Sequence, residues 1–110
     1  MFDTWYAANK STVLTWFRDL HRHPEVGFEE VRTAAYIADR LREFGLNPQT
    51  GIGGTGVVAT LVGTGGPGRS IGLRAELDAL PMTEESGLDF ASEEDGKFHG
   101  CGHDGLAVTL

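Results

Sequence analysis

Val57-Val58-Ala59-Thr60-Leu61-Val62 is a short β-branched apolar run, and Ser70-Ile71-Gly72-Leu73-Arg74-Ala75 is a second one. Thr64-Gly65-Gly66-Pro67-Gly68 lies between them and is typical of a turn. Because a parallel crossover needs about a dozen residues or more, this connection predicts an antiparallel hairpin. Residues 46–50 carry a less regular strand pattern ahead of the two runs.

Apolar residues at helical spacing predict two helices before the hairpin. A first apolar stripe predicts a helix over 3–22, which Pro24 ends because proline disfavours a helical residue before it. A second stripe predicts a helix over 29–44, and Gly45 stands where a left-handed glycine commonly ends a helix. Two residues are candidates for the N-cap of the first helix: Asp3 and Thr4.

The C-terminal third begins with an acidic stretch. Residues 82–98 hold six acidic residues and one basic residue, which predicts a solvated loop. Residues 104–110 resemble the first turns of a helix with Asp104 as N-cap. The predicted fold class is therefore α/β: two helices, an antiparallel hairpin and the start of a further helix.

Composition and charge exclude several classes of partner. The chain has 110 residues, 40% of them hydrophobic, which is enough for the core of one domain. The net charge is -7, and a surface for phosphates needs clustered basic residues that are absent here. Nucleic acid and anionic membranes are excluded as partners. One cysteine, no signal-peptide pattern and no membrane-length apolar run predict a cytoplasmic setting.

Gly51-Ile52-Gly53-Gly54-Thr55-Gly56 has the spacing of a dinucleotide-binding loop, and Glu76 follows at the expected distance. Such a loop needs a strand before it and a helix after it, so that the helix N-terminus faces the pyrophosphate. In this chain a helix lies upstream and a strand follows. The sequence therefore favours a Gly-rich segment that leads into the hairpin over a nucleotide site.

His99-Gly100-Cys101-Gly102-His103-Asp104 groups side chains that bind metals. In an extended segment side chains alternate, so His99, Cys101 and His103 would project together. The alternative is a buried free cysteine beside two ordinary histidines. Asp104 suits a ligand, an acceptor behind the ligands or a helix cap. A closed zinc site needs four protein ligands, and one cysteine with four histidines makes such a site hard to build.

Two further segments carry polar side chains that could serve a site. Glu76 and Asp78 share one side if the second strand continues, which suits a cation site or acid–base work. The alternative is a pair of surface carboxylates at a strand end. His21 stands in the last turn of the first helix, where it favourably meets the helix dipole or, alternatively, lines a site.

Taken in order, these segments resemble the N-terminal part of the M20 metallopeptidase family. The similar branch contains amidohydrolases such as hippurate hydrolases, N-acyl-amino-acid hydrolases and auxin-conjugate hydrolases. The matching stretches are residues 20–25, 28–30, 55–59, 73–81 and 99–104. The resemblance implies an α/β/α catalytic domain with a mixed sheet, of which residues 1–110 form the N-terminal part. The lid or dimerisation domain and the rest of the catalytic domain would then be absent.

The resemblance also implies a site and a reaction. Cys101 and His103 match the first two metal ligands of the family. Asp78 matches an aspartate that orients a metal ligand without binding the metal itself. Three further residues are candidates for support of the site: His99, Asp104 and Glu76. Two divalent ions, zinc or manganese with nickel or cobalt as alternatives, would serve hydrolysis of the amide bond of an N-acyl amino acid. A homodimer is compatible with the complete enzyme.

Two residues of this chain differ from the residues that the similar branch of the family has at the same positions. Glu76 stands where the branch has aspartate, and Leu106 stands where it has histidine. The family's general base and further histidine ligands lie downstream of this region. The chain is therefore expected to be inactive alone, and the alternative is a non-catalytic metal-binding or interaction fragment.

Overall fold

A computed structural model describes residues 1–110. Three helices and one two-stranded antiparallel sheet confirm the α/β class. In chain order the elements are α1 (Phe2–Arg22), α2 (Val31–Glu43), β1 (Gln49–Ile52), β2 (Gly56–Val58) and α3 (His103–Thr109). No helix is both long and apolar enough to cross a bilayer.

Helix α1 ends where the sequence predicts but begins without the predicted cap. It stops at Arg22, and Pro24 is buried immediately after it. Met1 occupies the N-cap position and no side chain caps the helix, so the prediction of Asp3 or Thr4 as N-cap was wrong. Because the helix begins at Phe2, Asp3 falls inside the first turn, where its charge favours the positive end of the dipole.

Helix α2 is capped by a carboxylate from outside the helix. The Thr33 backbone N–H and hydroxyl donate to Glu25 Oε1 at 2.6 and 2.7 Å, and the Arg32 N–H donates to Oε2 at 3.0 Å. These backbone donors of the first turn have no partner within the helix. At the other end Gly45 has φ +80°, which confirms the predicted left-handed glycine.

The hairpin is antiparallel, but its strands are not the two predicted runs. Gln49 pairs with Val58, Thr50 with Val57 and Ile52 with Gly56, so the Gly-rich stretch closes the hairpin and residues 53–55 form the turn. The prediction of paired strands over 57–62 and 70–75 was wrong, because most of that stretch has no strand partner. A two-stranded hairpin is marginal unless a helix or a third strand covers it, and α2 packs on β1 and β2.

Few apolar side chains are fully buried. The buried apolar residues are Leu20, Ala34, Ala38 and Ala79. Several large apolar side chains between β2 and residue 78 are instead exposed, with Ile71 86% and Val62 80% accessible. Isolated bridges connect the later segments to each other and to the loop between α1 and α2: Val26 bridges to Ala79, and Leu80 bridges to Phe98. These bridges place residues 79–80 between the loop that follows α1 and the segment that precedes α3.

Candidate metal centre

The side chain of His103 is oriented by Asp78. His103 Nδ1 lies 2.9 Å from Asp78 Oδ1 and 3.0 Å from the Asp78 carbonyl oxygen. Both partners are acceptors, so Nδ1 carries the proton and Nε2 is the nitrogen with a free lone pair. A carboxylate behind a histidine fixes the tautomer and ring orientation of many metal-bound histidines. The backbone supports this position, because the Ala79 N–H donates to the Glu25 carbonyl at 2.8 Å.

Cys101 is an exposed free thiol next to this pair in sequence. Gly102 stands between Cys101 and His103 in the sequence. It has φ +85° and is the N-cap of α3, so the chain turns there into the helix. The prediction of an extended segment with His99, Cys101 and His103 on one side was therefore wrong. Glycine adopts the left-handed region without a Cβ clash, which allows this sharp change of direction.

Asp104, which directly follows the candidate ligand His103 in the sequence, is buried. It lies inside the first turn of α3 and not at its N-cap, so that prediction was wrong. Its residue is 2% exposed, and both carboxylate oxygens are occupied. Oδ1 accepts from the Gly105 N–H at 2.9 Å, and Oδ2 lies 2.6 Å from His21 Nδ1. Of the three roles that the sequence leaves open for Asp104, this geometry is that of an acceptor.

His21 joins Asp104 to the acidic loop. Its ring is buried, and its Nε2 lies 2.9 Å from Glu84 Oε1. The helix-dipole interpretation of His21 was therefore incomplete, because the ring faces two carboxylates. Burial lowers the pKa of His21, but the hydrogen bonds and charges of Glu84 and Asp104 outweigh it and raise the pKa above its ordinary value. Both ring nitrogens of the protonated imidazole donate.

The sequence predicted a solvated loop over residues 82–98, but one acidic side chain of this loop is buried. The side chain of Glu84 is 2% exposed. The Ser86 hydroxyl donates to its Oε1 at 2.6 Å, and the Ser92 N–H donates to its Oε2 at 2.5 Å. Burial raises the pKa of Glu84, but these bonds and His21 outweigh it and lower the pKa. Sequence reasoning missed this residue because nothing distinguishes Glu84 from the exposed acids around it.

The remaining candidates lie apart from this network of hydrogen bonds. His99 is 5% exposed, and neither of its ring nitrogens has a hydrogen-bond partner. Burial lowers the pKa of His99, the nearby His21 and His103 lower it further, and Asp104 and Asp78 oppose them. Glu76 pairs with Arg74 at 3.2 Å. The structure therefore brings Asp78 to His103 and leaves Glu76 outside.

The donor set fits part of a metal centre. A thiol and an imidazole with a free Nε2 are ligands that zinc, cobalt and nickel accept. No group of three or more histidine, cysteine, aspartate or glutamate side chains is placed to hold an ion. Cys101 and His103 thus offer two donors, and a complete site needs ligands beyond them.

Comparison with known proteins shows which family and which solved structures the chain is similar to. Residues 72–109 match the family described as Peptidase family M20/M25/M40. A crystal structure of a Bacillus subtilis protein, described as a dinuclear metal binding peptidase from the M20 family, superposes with a TM-score of 0.88 at 38% identity. That comparison covers 94% of this chain and 29% of the other. The chain matches the N-terminal portion of the M20 family. The resemblance drawn from the sequence is confirmed.

Curated relatives of this M20-like chain are much longer. An N-acyl-L-amino acid amidohydrolase of Geobacillus stearothermophilus is 44% identical over 92% of this chain and 27% of its own length. The hippurate hydrolase of Campylobacter jejuni is 44% identical over 83% of this chain and 24% of its own. A Rhodococcus jostii protein named as glutamate–cysteine ligase 2-3 is 46% identical over 93% of this chain and only 13% of its own. The chain thus spans about a quarter or less of these relatives.

Proposed function

We propose that residues 1–110 supply the N-terminal part of the catalytic domain of a metal-dependent amidohydrolase that acts on N-acyl amino acids. The observation that carries the proposal is the His103–Asp78 hydrogen bond of 2.9 Å, with Cys101 two residues before His103 in the sequence. It orients one imidazole for a metal, in a segment matched by the M20 family. Relatives named as an N-acyl-L-amino acid amidohydrolase and a hippurate hydrolase support the substrate class.

The residues of this chain have separable roles in the proposed site. Cys101 and His103 would hold a divalent ion, zinc or manganese, and a thiolate with an imidazole favours zinc. When bound, such an ion polarises a carbonyl group and makes bound water acidic. Asp78 keeps the proton of His103 on Nδ1 and leaves Nε2 for the ion. The thiolate of Cys101 serves as a ligand and not as a nucleophile.

The proposal places the proton transfer outside residues 1–110. Glu84 and Asp104 are each hydrogen-bonded to His21, and Glu76 forms an ion pair with Arg74. Glu84 and Asp104 are buried against the His21 ring, which makes them poorly suited to take a proton from water and pass it to a leaving amine. The general base and the remaining ligands of the active enzyme are therefore expected in chain beyond this region.

A non-catalytic metal-binding fragment is the second candidate function. The observation in its favour is that Cys101 is an exposed thiol two residues from His103, whose ring Asp78 orients, and two such donors suffice for weak metal binding without catalysis. The coding sequence downstream distinguishes the two candidates, because the enzyme needs a general base and further histidine ligands there. Both predict the same result when the purified 110-residue chain is incubated with hippurate and other N-acyl amino acids plus zinc or manganese. We expect no turnover above a metal-only control. Turnover retained after repurification would show that the chain carries its own general base.

Zinc titration of the chain tests the proposed ligands directly. We expect weak binding by calorimetry, lost in both Cys101→Ser and His103→Ala, because each removes one of two donors. Asp78→Asn should weaken binding by about tenfold, since it removes the carboxylate that orients His103. His23→Ala is the matched control, because its ring bonds the Asp19 carbonyl at 2.8 Å. Wild-type affinity in Cys101→Ser would remove Cys101 from the site.

A further inference from the structure

His21 connects three separate parts of the chain through buried contacts. It belongs to α1, its Nε2 bonds Glu84 of the acidic loop, and its Nδ1 bonds Asp104 of α3. These bonds are 2.9 and 2.6 Å long, and both carboxylates are 2% exposed. An imidazolium between two desolvated carboxylates makes strong, directional hydrogen bonds. Displacing the ring would leave two buried charges unpaired, which is strongly unfavourable.

Aromatic rings restrict the His21 ring to this position. Phe90 and Phe98 meet it edge to face, with ring centroids 5.3 and 5.8 Å away, and Phe17 lies 5.7 Å away on the same helix. Phe90 lies within the acidic loop, and Phe98 is its last residue. The ring therefore has fixed polar partners at its two nitrogens and apolar walls around it.

The carboxylate that His21 holds is the neighbour of the candidate ligand His103. Asp104 and His103 share the first turn of α3, and Gly102 ahead of them is in the left-handed region. A glycine junction is free to rotate, so the turn itself does not determine the direction of α3. The direction of α3 is instead determined by two hydrogen bonds. One joins Asp104 to His21 of α1, and the other joins His103 to Asp78.

We propose that His21 is a positioning residue for the segment Cys101–His103: through Asp104 it fixes the first turn of α3 against α1, so that the two candidate metal ligands are held in place before an ion binds. The proposal rests on the proposed function, because it assumes that Cys101 and His103 are ligands. It goes beyond that function by assigning a role to a residue that contacts neither of them.

Cobalt binding by variants of the chain distinguishes a loss of ligand positioning from a general loss of stability. Cobalt(II) is the probe because a cysteine thiolate bound to it absorbs in the near ultraviolet, which reports the ligand itself. The variants are His21→Gln and Asp104→Asn. Gly56→Ala is the stability control, since it strains the distant hairpin. The affinity for cobalt and the thiolate absorption are measured under conditions in which each variant keeps the helical circular dichroism signal of the wild type. Unfolding by urea is measured separately.

We expect His21→Gln and Asp104→Asn to weaken cobalt binding by about tenfold and to alter the thiolate absorption at saturation. Gly56→Ala should keep the wild-type affinity and spectrum although it unfolds more easily. If His21→Gln loses its helical signal, Asp104→Asn decides, because asparagine keeps the shape of the side chain. Wild-type affinity and absorption in Asp104→Asn would then overturn the positioning role.

The result for Cys101→Ser tells the two proposals apart. If that variant loses cobalt binding while His21→Gln and Asp104→Asn bind as the wild type does, the ligand assignment stands and the positioning role is overturned. If Cys101→Ser binds cobalt as tightly as the wild type, the ligand assignment is wrong and the positioning role is overturned with it.

Discussion

The carboxylate of Glu25 shows how a single side chain outside a helix can determine where it begins. It accepts three hydrogen bonds, two from backbone donors at the start of α2 and one from the Thr33 hydroxyl. Burial raises the pKa of Glu25, but the bonds from Thr33 and Arg32 outweigh it and hold the pKa below its ordinary value of 4.5. The native state therefore prefers the charged form of this residue.

Glu25→Gln should lower the free energy of unfolding at neutral pH by about 1 kcal/mol, the usual size of a lost cap. A lowered native pKa contributes stability that is complete above the ordinary pKa and is lost as the pH falls through the native value. The difference between wild type and variant should thus shrink in acid. Urea unfolding followed by circular dichroism over this range measures it. Glu29→Gln is the control because Glu29 is 63% exposed, and a pH-independent difference for Glu25→Gln would contradict the cap.

At the scale of elements, the hairpin depends on one close backbone approach. A Cβ added at Gly56 would lie 2.5 Å from the carbonyl oxygen of Ile52, which pairs with it across the turn. Gly56→Ala should therefore destabilise the chain by about 1–3 kcal/mol, as overpacking does. Urea unfolding measures the loss. Gly63→Ala is the matched control, since nothing lies within 4 Å of its added Cβ; equal stability of the two variants would show that the approach is not rigid.

At the scale of the whole molecule, exposed apolar surface should make the isolated chain associate with itself. Only four apolar residues are buried, whereas Ile71 is 86% and Leu73 is 72% exposed. Unpaired strand-like segments of this kind are templates for association. Sedimentation velocity should show species that grow with protein concentration. Ile71→Lys should reduce them and Ser70→Lys, with the same added charge, should not; a monomer at every concentration with a sharp cooperative melt would contradict this prediction.

The sequence by itself determined the two long helices and the residues that mark their C-terminal ends. Apolar spacing along α1 and α2 is a local property, and so are the effects of Pro24 and Gly45 on the backbone. The order of short motifs likewise determined the family resemblance. That resemblance also predicted one site that contains Cys101, His103 and Asp78, and the structure shows the contact of Asp78 with His103.

Tertiary structure alone decided which strands pair and which polar side chains meet. The β-branched run 57–62 takes part in the hairpin only through its first residues, because pairing depends on the surface of α2 that covers it. His21 meets Glu84 and Asp104 across separations of 63 and 83 residues. No periodicity reports such distances, because hydrogen bonds between remote residues form only after the helices and loops have packed.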